Sequence, residues 1–101
     1  MYAIYQTEAF NLWFSSLSDR KAQAQILVRI KRASSGNFGD ARPVGNGVYE
    51  MRIHLGPGYR IYYARERRAV YLLLNGGDKS TQQHDIKAAI SLWKQVQKET
   101  S

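Results

Sequence analysis

Cysteine is absent from the 101-residue sequence, and this absence excludes three kinds of chemistry. Without a thiol the chain forms no disulfide, no zinc–thiolate site and no cysteine nucleophile. A composition without cysteine suits a reducing compartment, so we expect a cytoplasmic protein. The first ten residues contain no basic stretch followed by a long apolar run, which predicts that the chain carries no secretory signal.

Long hydrophobic runs are missing as well. No apolar stretch approaches the ~20 residues that a membrane-spanning helix needs, so we expect no membrane association. Internal repeats and low-complexity tracts are not found. The length predicts one domain, residues 1–101, with room for a modest core.

The common catalytic and cofactor motifs are also absent. The run Gly76–Ser80 superficially resembles a phosphate-binding loop, but it lacks the earlier glycine and the G-x-x-x-x-G-K-[ST] spacing. No G-x-S-x-G elbow for a nucleophilic serine occurs. The two histidines, His54 and His84, have no companion ligands at metal-binding spacing. We therefore predict neither a metal site nor a cofactor.

Acidic residues are scarce relative to basic ones. Eight Asp and Glu stand against 15 Lys and Arg, which gives a formal net charge of +7 at pH 7. A surface of this charge favours phosphate-rich partners. An acidic protein partner also fits, and a merely soluble basic domain is the third interpretation.

Alternating side chains dominate the stretch from Val48 to Lys79. The runs Val48–Leu55 and Tyr59–Ala64 alternate and predict two half-buried strands, whereas Val70–Leu74 is apolar on both faces and predicts a central strand. Glycines and a proline separate the first two runs, which predicts a hairpin.

The register of this hairpin decides which side chains share a face. A two-residue turn would pair Ile53 with Arg60 and place an arginine among apolar side chains, so we predict a three-residue turn at 56–58. The predicted pairs are Leu55 with Tyr59, His54 with Arg60, Ile53 with Ile61 and Arg52 with Tyr62. One face then carries Glu50, Arg52, His54, Arg60 and Tyr62. This face is either a candidate site or an ordinary solvated sheet face, and composition alone favours the latter.

Apolar residues at helical spacing predict two consecutive helices and a closing helix. We expect Thr7 to cap the first, Ser18 to cap the second and Ser80 or Thr81 to cap the last. The stripes are Phe10, Trp13, Phe14 and Leu17; Ala22, Ile26, Ile30 and Ala33 with Leu27 alongside; and Ile86, Ala89, Ile90, Trp93 and Val96.

Residues 2–6 are predicted to form an edge strand, and residues 34–47 are predicted to form a loop. The sequence therefore predicts an α+β fold, in which an N-terminal helical hairpin packs on a twisted, mainly antiparallel sheet of about four strands, with a C-terminal helix.

The polar cluster contains the groups that metal-free RNA cleavage needs. A carboxylate, or an unprotonated lysine or histidine, takes the proton of the 2′-hydroxyl. Guanidinium groups stabilise the extra negative charge on the phosphate in the transition state. A histidine, a tyrosine or a cation protonates the leaving 5′-oxygen.

Four runs resemble one known superfamily: GVYEMR at 47–52, GYRIYY at 58–63, LLNGGDKSTQ at 73–82 and DI at 85–86. The chain resembles the RelE/ParE toxins, and within them the HigB-type branch of phage Gp49-like "addiction module killer" proteins. The resemblance covers nearly the whole chain and implies a RelE-like fold.

The resemblance also implies a function. Similar proteins are toxins of bacterial type II toxin–antitoxin systems that cleave mRNA on the ribosome and so inhibit translation. They need no metal, and attack by the 2′-hydroxyl leaves a 2′,3′-cyclic phosphate. The implied partners are the ribosome, mRNA and a HigA-like helix-turn-helix antitoxin, with operator DNA bound only through the antitoxin complex.

Five catalytic candidates follow from the resemblance. Arg60 matches the arginine that stabilises the scissile phosphate, and Lys79 lies near a second basic group that binds phosphate or assists proton transfer. Glu50 lies on the strand where some relatives place a general base, and Arg52 shares its face. His84 lies where relatives place a His or Tyr general acid. His54, Tyr62 and Arg42 are predicted to contact RNA.

Plainer interpretations stand beside these roles. Glu50 could form only a salt bridge with Arg52 or Arg60, Lys79 could be a loop charge and His84 a helix-terminus residue. The alternative functions are a ParE-like gyrase inhibitor without nuclease activity and an inactive relative that binds only an antitoxin or nucleic acid. ParE-like members generally lack a catalytic cluster, which argues against the gyrase inhibitor.

Overall fold

A computed structural model describes residues 1–100 of the chain. The elements in chain order are β1 (Ala3–Gln6), α1 (Glu8–Ser16), α2 (Arg20–Ser34), β2 (Ala41–Gly45), β3 (Val48–Ile53), β4 (Tyr59–Arg67), β5 (Val70–Asp78), a 3₁₀ turn (Lys79–Thr81) and α3 (Gln82–Thr100). Within this range the strands form a single sheet in the order β1-β5-β4-β3-β2.

The sheet confirms the predicted α+β class but adds a fifth strand. β1 runs parallel to β5, and the remaining neighbours are antiparallel. The added strand is β2, which lies in the segment predicted as a loop. It contains Pro43 and ends at Gly45, so it lacks the alternation of a typical strand. An edge position tolerates proline, because a proline there removes no central hydrogen bond.

Helices cover both faces of the sheet. The α1 and α2 stripes pack with Met51, Ile61 and Leu73 on one face, as predicted. The α3 stripe packs with Val48 and Leu74 on the other face. β4 and β5 each contribute buried apolar side chains to both cores.

The hairpin of β3 and β4 forms with a different register from the predicted one. Ile53 lies opposite Tyr59, Arg52 opposite Arg60, Met51 opposite Ile61 and Glu50 opposite Tyr62. The predicted pairs were therefore wrong by two residues. An even shift leaves every side chain within β3 and β4 on its predicted face. The strand ends at Ile53 because the Leu55 amide bonds the Ile53 carbonyl at 2.9 Å and starts the turn.

The helix caps confirm one prediction and correct another. Thr7 Oγ1 accepts from the Phe10 amide, as predicted. The second helix is capped by Asp19 rather than Ser18, because a carboxylate accepts the orphan amides more strongly than a neighbouring hydroxyl. Asp78 caps the 3₁₀ turn that precedes α3, and the cap of α3 itself at Ser80 or Thr81 stays a prediction. Leu27, predicted beside the apolar stripe, is 53% exposed, because α2 turns it away from the sheet.

The paired glycines Gly76 and Gly77 lie inside β5. A Cβ added to Gly76 would overlap the Trp13 ring of α1, and one added to Gly77 would overlap the Asp85 carboxylate of α3. Successive residues of a strand face opposite sides. Each glycine therefore admits a helix on its own face of the sheet. No helix in residues 1–100 combines the length and apolarity required to span a membrane.

Candidate active site

Glu50 is the centre of the polar cluster and has no solvent-exposed surface. Its Oε1 lies 3.0 Å from Arg42 Nε and 3.4 Å from Arg52 Nε. Its Oε2 accepts hydrogen bonds from Tyr62 OH at 3.1 Å and Gln82 Nε2 at 2.9 Å. Arg60 Nε lies 3.6 Å from the same oxygen. Both carboxylate oxygens are thus surrounded by donors and cations.

The sheet register brings these groups together. Arg42, Glu50 and Tyr62 lie directly opposite one another on β2, β3 and β4. Arg52 and Arg60 form the adjacent opposed pair. Two like charges in opposed positions are normally destabilising, so the intervening carboxylate stabilises an otherwise unfavourable pair.

The cluster carries more positive than negative charge. Three guanidinium groups surround one carboxylate, giving a local charge of +3 − 1 = +2. Within residues 1–100, the Nε atoms of Arg52 and Arg60 are buried and make no hydrogen bond. The side chains of Arg42 and Arg52 are 46% and 34% exposed. This excess cationic charge at the surface is suited to attracting an anion.

The titration of Glu50 reflects this environment. Burial by itself raises the pKa of the carboxyl, but hydrogen bonds from Arg42, Gln82 and Tyr62 outweigh it and lower the pKa below its ordinary value. Burial, followed by the charge of Glu50, raises the pKa of Tyr62. Glu50 is therefore ionised and Tyr62 neutral at physiological pH.

Lys79 lies at the same corner of the sheet as Arg60. Arg60 Nη1 donates to the Gly58 carbonyl at 2.9 Å. A Cβ added to Gly58 would lie 3.4 Å from Arg60 Nη1 and 3.8 Å from Lys79 Cβ. Both distances are ordinary van der Waals contacts, so it is the φ of +80° that favours glycine at this position. Arg60 Nη1 and Lys79 Cβ thus both lie beside the turn residue Gly58.

The start of α3 is fixed to β5 beside this corner. Thr81 Oγ1 donates to Asp85 Oδ2 at 2.5 Å, and Asn75 Nδ2 donates to the Asp85 carbonyl at 3.2 Å. The missing side chain of Gly77 makes room for the Asp85 carboxylate. These contacts hold the first turn of α3 where Gln82 reaches Glu50.

A comparison with known proteins identifies the family to which this chain belongs. A family model described as phage-derived protein Gp49-like matches residues 12–97. The chain belongs to this family. The Gp49-like family is RelE-like and associated with toxin–antitoxin systems, which confirms the resemblance at this level. An uncharacterized protein of Haemophilus influenzae is 48% identical over 86 residues, which cover 85% of this chain and 87% of that protein.

The structure of this Gp49-like protein gathers most of the predicted site residues. Arg42, Glu50, Arg52, Arg60 and Tyr62 form one cluster, and Lys79 lies at its corner.

Two predicted residues of the Gp49-like protein lie apart from this cluster. His54 Nε2 lies 2.6 Å from Asp40 Oδ2 in an exposed pair beside α2. His54 follows the end of β3, so the alternation no longer determines its direction. His84 is exposed in the first turn of α3, and no residue in 1–100 hydrogen-bonds its imidazole.

Gln82 is a cluster member that the sequence analysis did not single out. It lies within the run that carries the family resemblance, but its spacing from Glu50 gives no indication of contact. Its role depends on where α3 begins, and the 3₁₀ turn before α3 determines that position. Among residues 1–100 of this Gp49-like protein, no group of three or more His, Asp or Glu side chains is arranged to hold a metal ion.

Proposed function

We propose that this Gp49-like protein is the toxin of a type II toxin–antitoxin pair and acts as a metal-independent, ribosome-dependent mRNA endonuclease. The observation that carries the proposal is the cluster of three arginines on a buried carboxylate, with Lys79 beside Arg60. Such a site offers fixed positive charge to a phosphodiester undergoing attack by its own 2′-hydroxyl.

Arg60 is the residue assigned to the scissile phosphate. Its side chain is only 10% exposed, and both Gly58 and Glu50 restrict its position. A fixed guanidinium needs little reorganisation when charge develops on the phosphate. Arg52 and Arg42 are more exposed and supply further phosphate contacts.

Glu50 and Tyr62 are assigned to positioning in this proposal. The Glu50 carboxylate is buried and its pKa is lowered, so it is a poor acceptor for a substrate proton. It instead holds Arg60 and Arg52 in place. Tyr62 is also fully buried and donates its hydroxyl hydrogen to Glu50, so its contribution to RNA binding is indirect.

The proton transfers are assigned to two exposed candidates, Lys79 at the corner of the cluster and His84 in the first turn of α3. Lys79 lies beside Arg60 and binds the phosphate or moves a proton. His84 lies five residues further along the chain, and its imidazole is free of hydrogen-bond partners within residues 1–100. We assign it to protonation of the leaving 5′-oxygen.

The proposed partners follow from the same function. The toxin binds the ribosome and its mRNA, and a HigA-like helix-turn-helix antitoxin neutralises it. The net charge of +7 favours both an RNA partner and an acidic antitoxin surface. Operator DNA is bound only by the toxin–antitoxin complex, and the site of action is the cytoplasm.

Primer extension on a reporter mRNA in a translation mixture tests this function. Wild type should produce cuts in phase with codons, and Arg60→Ala should reduce them at least about a hundredfold, because a transition-state contact is lost. Arg20→Ala, which removes an exposed arginine at the start of α2, is the matched control and should cut normally.

Absence of cuts with wild type would remove the nuclease proposal. Inhibition of gyrase supercoiling by the same preparation would then support the ParE-like alternative. Cutting by Arg60→Ala at the wild-type rate would leave the nuclease but overturn the assigned role of Arg60.

A further inference from the structure

A second cleft lies on the sheet face opposite Glu50. It is lined by aromatic and basic side chains from β3, β4, β5 and the loop after α2: Phe38, Tyr49, Tyr63, Arg65 and Tyr71. Its volume is about 290 Å³. This is close to the lower end, ~300 Å³, of the volumes of small-molecule pockets. No step of the proposed cleavage uses this cleft.

Three of the rings form a nearly parallel series. The Tyr49 and Tyr63 centroids are 5.7 Å apart at an interplanar angle of 23°. Phe38 continues the series from Tyr63, at 4.9 Å and 13°. Tyr63 is buried, whereas Tyr49 is 40% exposed at the end of the series. Tyr49 therefore presents aromatic surface to solvent on a rigid support.

Arg65 provides a second flat surface at the cleft. Its guanidinium carbon lies 5.7 Å from the Tyr71 ring centroid and 6.0 Å from that of Tyr2. Its Nε donates to the carbonyls of Arg67 and Arg68 at 3.3 and 3.1 Å. The side chain is thus held in place while remaining exposed.

The turn after Arg65 adds charge to the same region. Arg67 and Arg68 are exposed, and Glu66 is the acid among them, so residues 65–68 carry +3 − 1 = +2. An aromatic platform beside a guanidinium plane and further arginines is the combination that stacks an unpaired base and attracts its phosphates.

We propose that this cleft binds an unpaired nucleobase of RNA, stacked on Tyr49 with Arg65 at its edge. The inference extends the proposed function by giving the toxin a second RNA contact, remote from the cleavage site. A protein partner that inserts an apolar side chain is the competing occupant, and the arginines at 65, 67 and 68 favour a polyanion over an uncharged apolar group.

The test measures the anisotropy of a labelled 2′-O-methyl RNA octamer, which lacks the nucleophile for cleavage. Tyr49→Ala should weaken binding about tenfold, because one base stack is lost, and Tyr49→Phe should bind as wild type. Arg65→Lys keeps the charge and loses the planar group, so it should weaken binding severalfold. Tyr5→Ala, which removes a 60% exposed tyrosine on β1, is the matched control.

An octamer with abasic positions isolates the stacking contribution. Wild type and Tyr49→Ala should bind this oligomer equally, since there is no base to stack. Equal binding of the normal octamer by wild type, Tyr49→Ala and Arg65→Lys, with folding confirmed by circular dichroism, would overturn the inference. The inference would also be overturned if Tyr49→Ala weakened binding of the abasic oligomer. The same holds if Tyr49→Ala weakened binding of the antitoxin but not of RNA.

The outcome is separable from that of the cleavage assay. Arg60→Ala should keep the dependence of octamer binding on Tyr49, because Arg60 lies on the other face. Codon-linked cutting together with octamer binding that does not depend on Tyr49 would overturn only the proposal of a second RNA contact. Octamer binding that depends on Tyr49, without any cutting, would overturn only the nuclease proposal.

Discussion

Replacing Glu50 by glutamine should lower the free energy of unfolding far more than replacing any one of its arginine partners. Gln keeps the size of the side chain but removes the negative charge between Arg52 and Arg60, whose Nε atoms are buried. Its amide NH₂ would also face the donors of Tyr62 or Gln82. Removing one side of a buried ion pair costs about 3–5 kcal/mol, because the remaining charge is desolvated and uncompensated.

The matched control is Arg42→Gln. The Arg42 side chain is 46% exposed, so this change should cost about 1 kcal/mol or less, and Glu50 keeps two arginines. Urea denaturation measures both free energies of unfolding. In a domain of this size a loss of 3 kcal/mol lowers Tm by at least about 12 °C. A Glu50→Gln variant within 1 kcal/mol of wild type would refute the account of Glu50 as the group that holds the arginines.

Two further predictions concern pH and packing. The pKa of Glu50 is lowered in the folded protein, so the unfolded chain binds the Glu50 proton more tightly. The free energy of unfolding should therefore fall as the pH drops below 4.5, the ordinary pKa of a glutamate. In acid titrations of unfolding, Glu50→Gln should lack this part of the pH dependence. Gly77→Ala should destabilise the fold by about 1–3 kcal/mol, because its Cβ overlaps the Asp85 carboxylate. Thermal melts check this, and the same Gly77→Ala change should cost little when it is made in an Asp85→Ala background; an unchanged Tm in Gly77→Ala would contradict the packing.

Side-chain periodicity determined much of the fold in advance. The α1 and α3 stripes were assigned correctly, because one face of each helix is buried and no competing interaction interrupts it. β2 was not assigned as a strand, since Pro43 and Gly45 mask its pairing with β3. The hairpin faces were correct although the register was not, because a shift of two residues preserves alternation.

The site was predictable where strand alternation determines direction. Glu50, Arg52 and Arg60 lie inside strands, so their shared face followed from the sequence. His54 lies past the strand end, where it pairs with Asp40. The contact from Gln82 depends on how α3 docks, and no local pattern encodes that. The complete burial of Glu50 likewise arises from the helix above it and the strands beside it.

At the glycine pair in β5, no side chain of the strand separates its backbone from the helices that pack on the two faces of the sheet. The Trp13 indole presses on Gly76 from one side, while Asp85 presses on Gly77 from the other. One peptide unit joins Gly76 and Gly77, so we expect a substitution at Trp13 to shift β5 and the first turn of α3 that packs on it. Such a shift would lengthen the hydrogen bond from Gln82 to Glu50 while leaving every polar atom of the site in the chain.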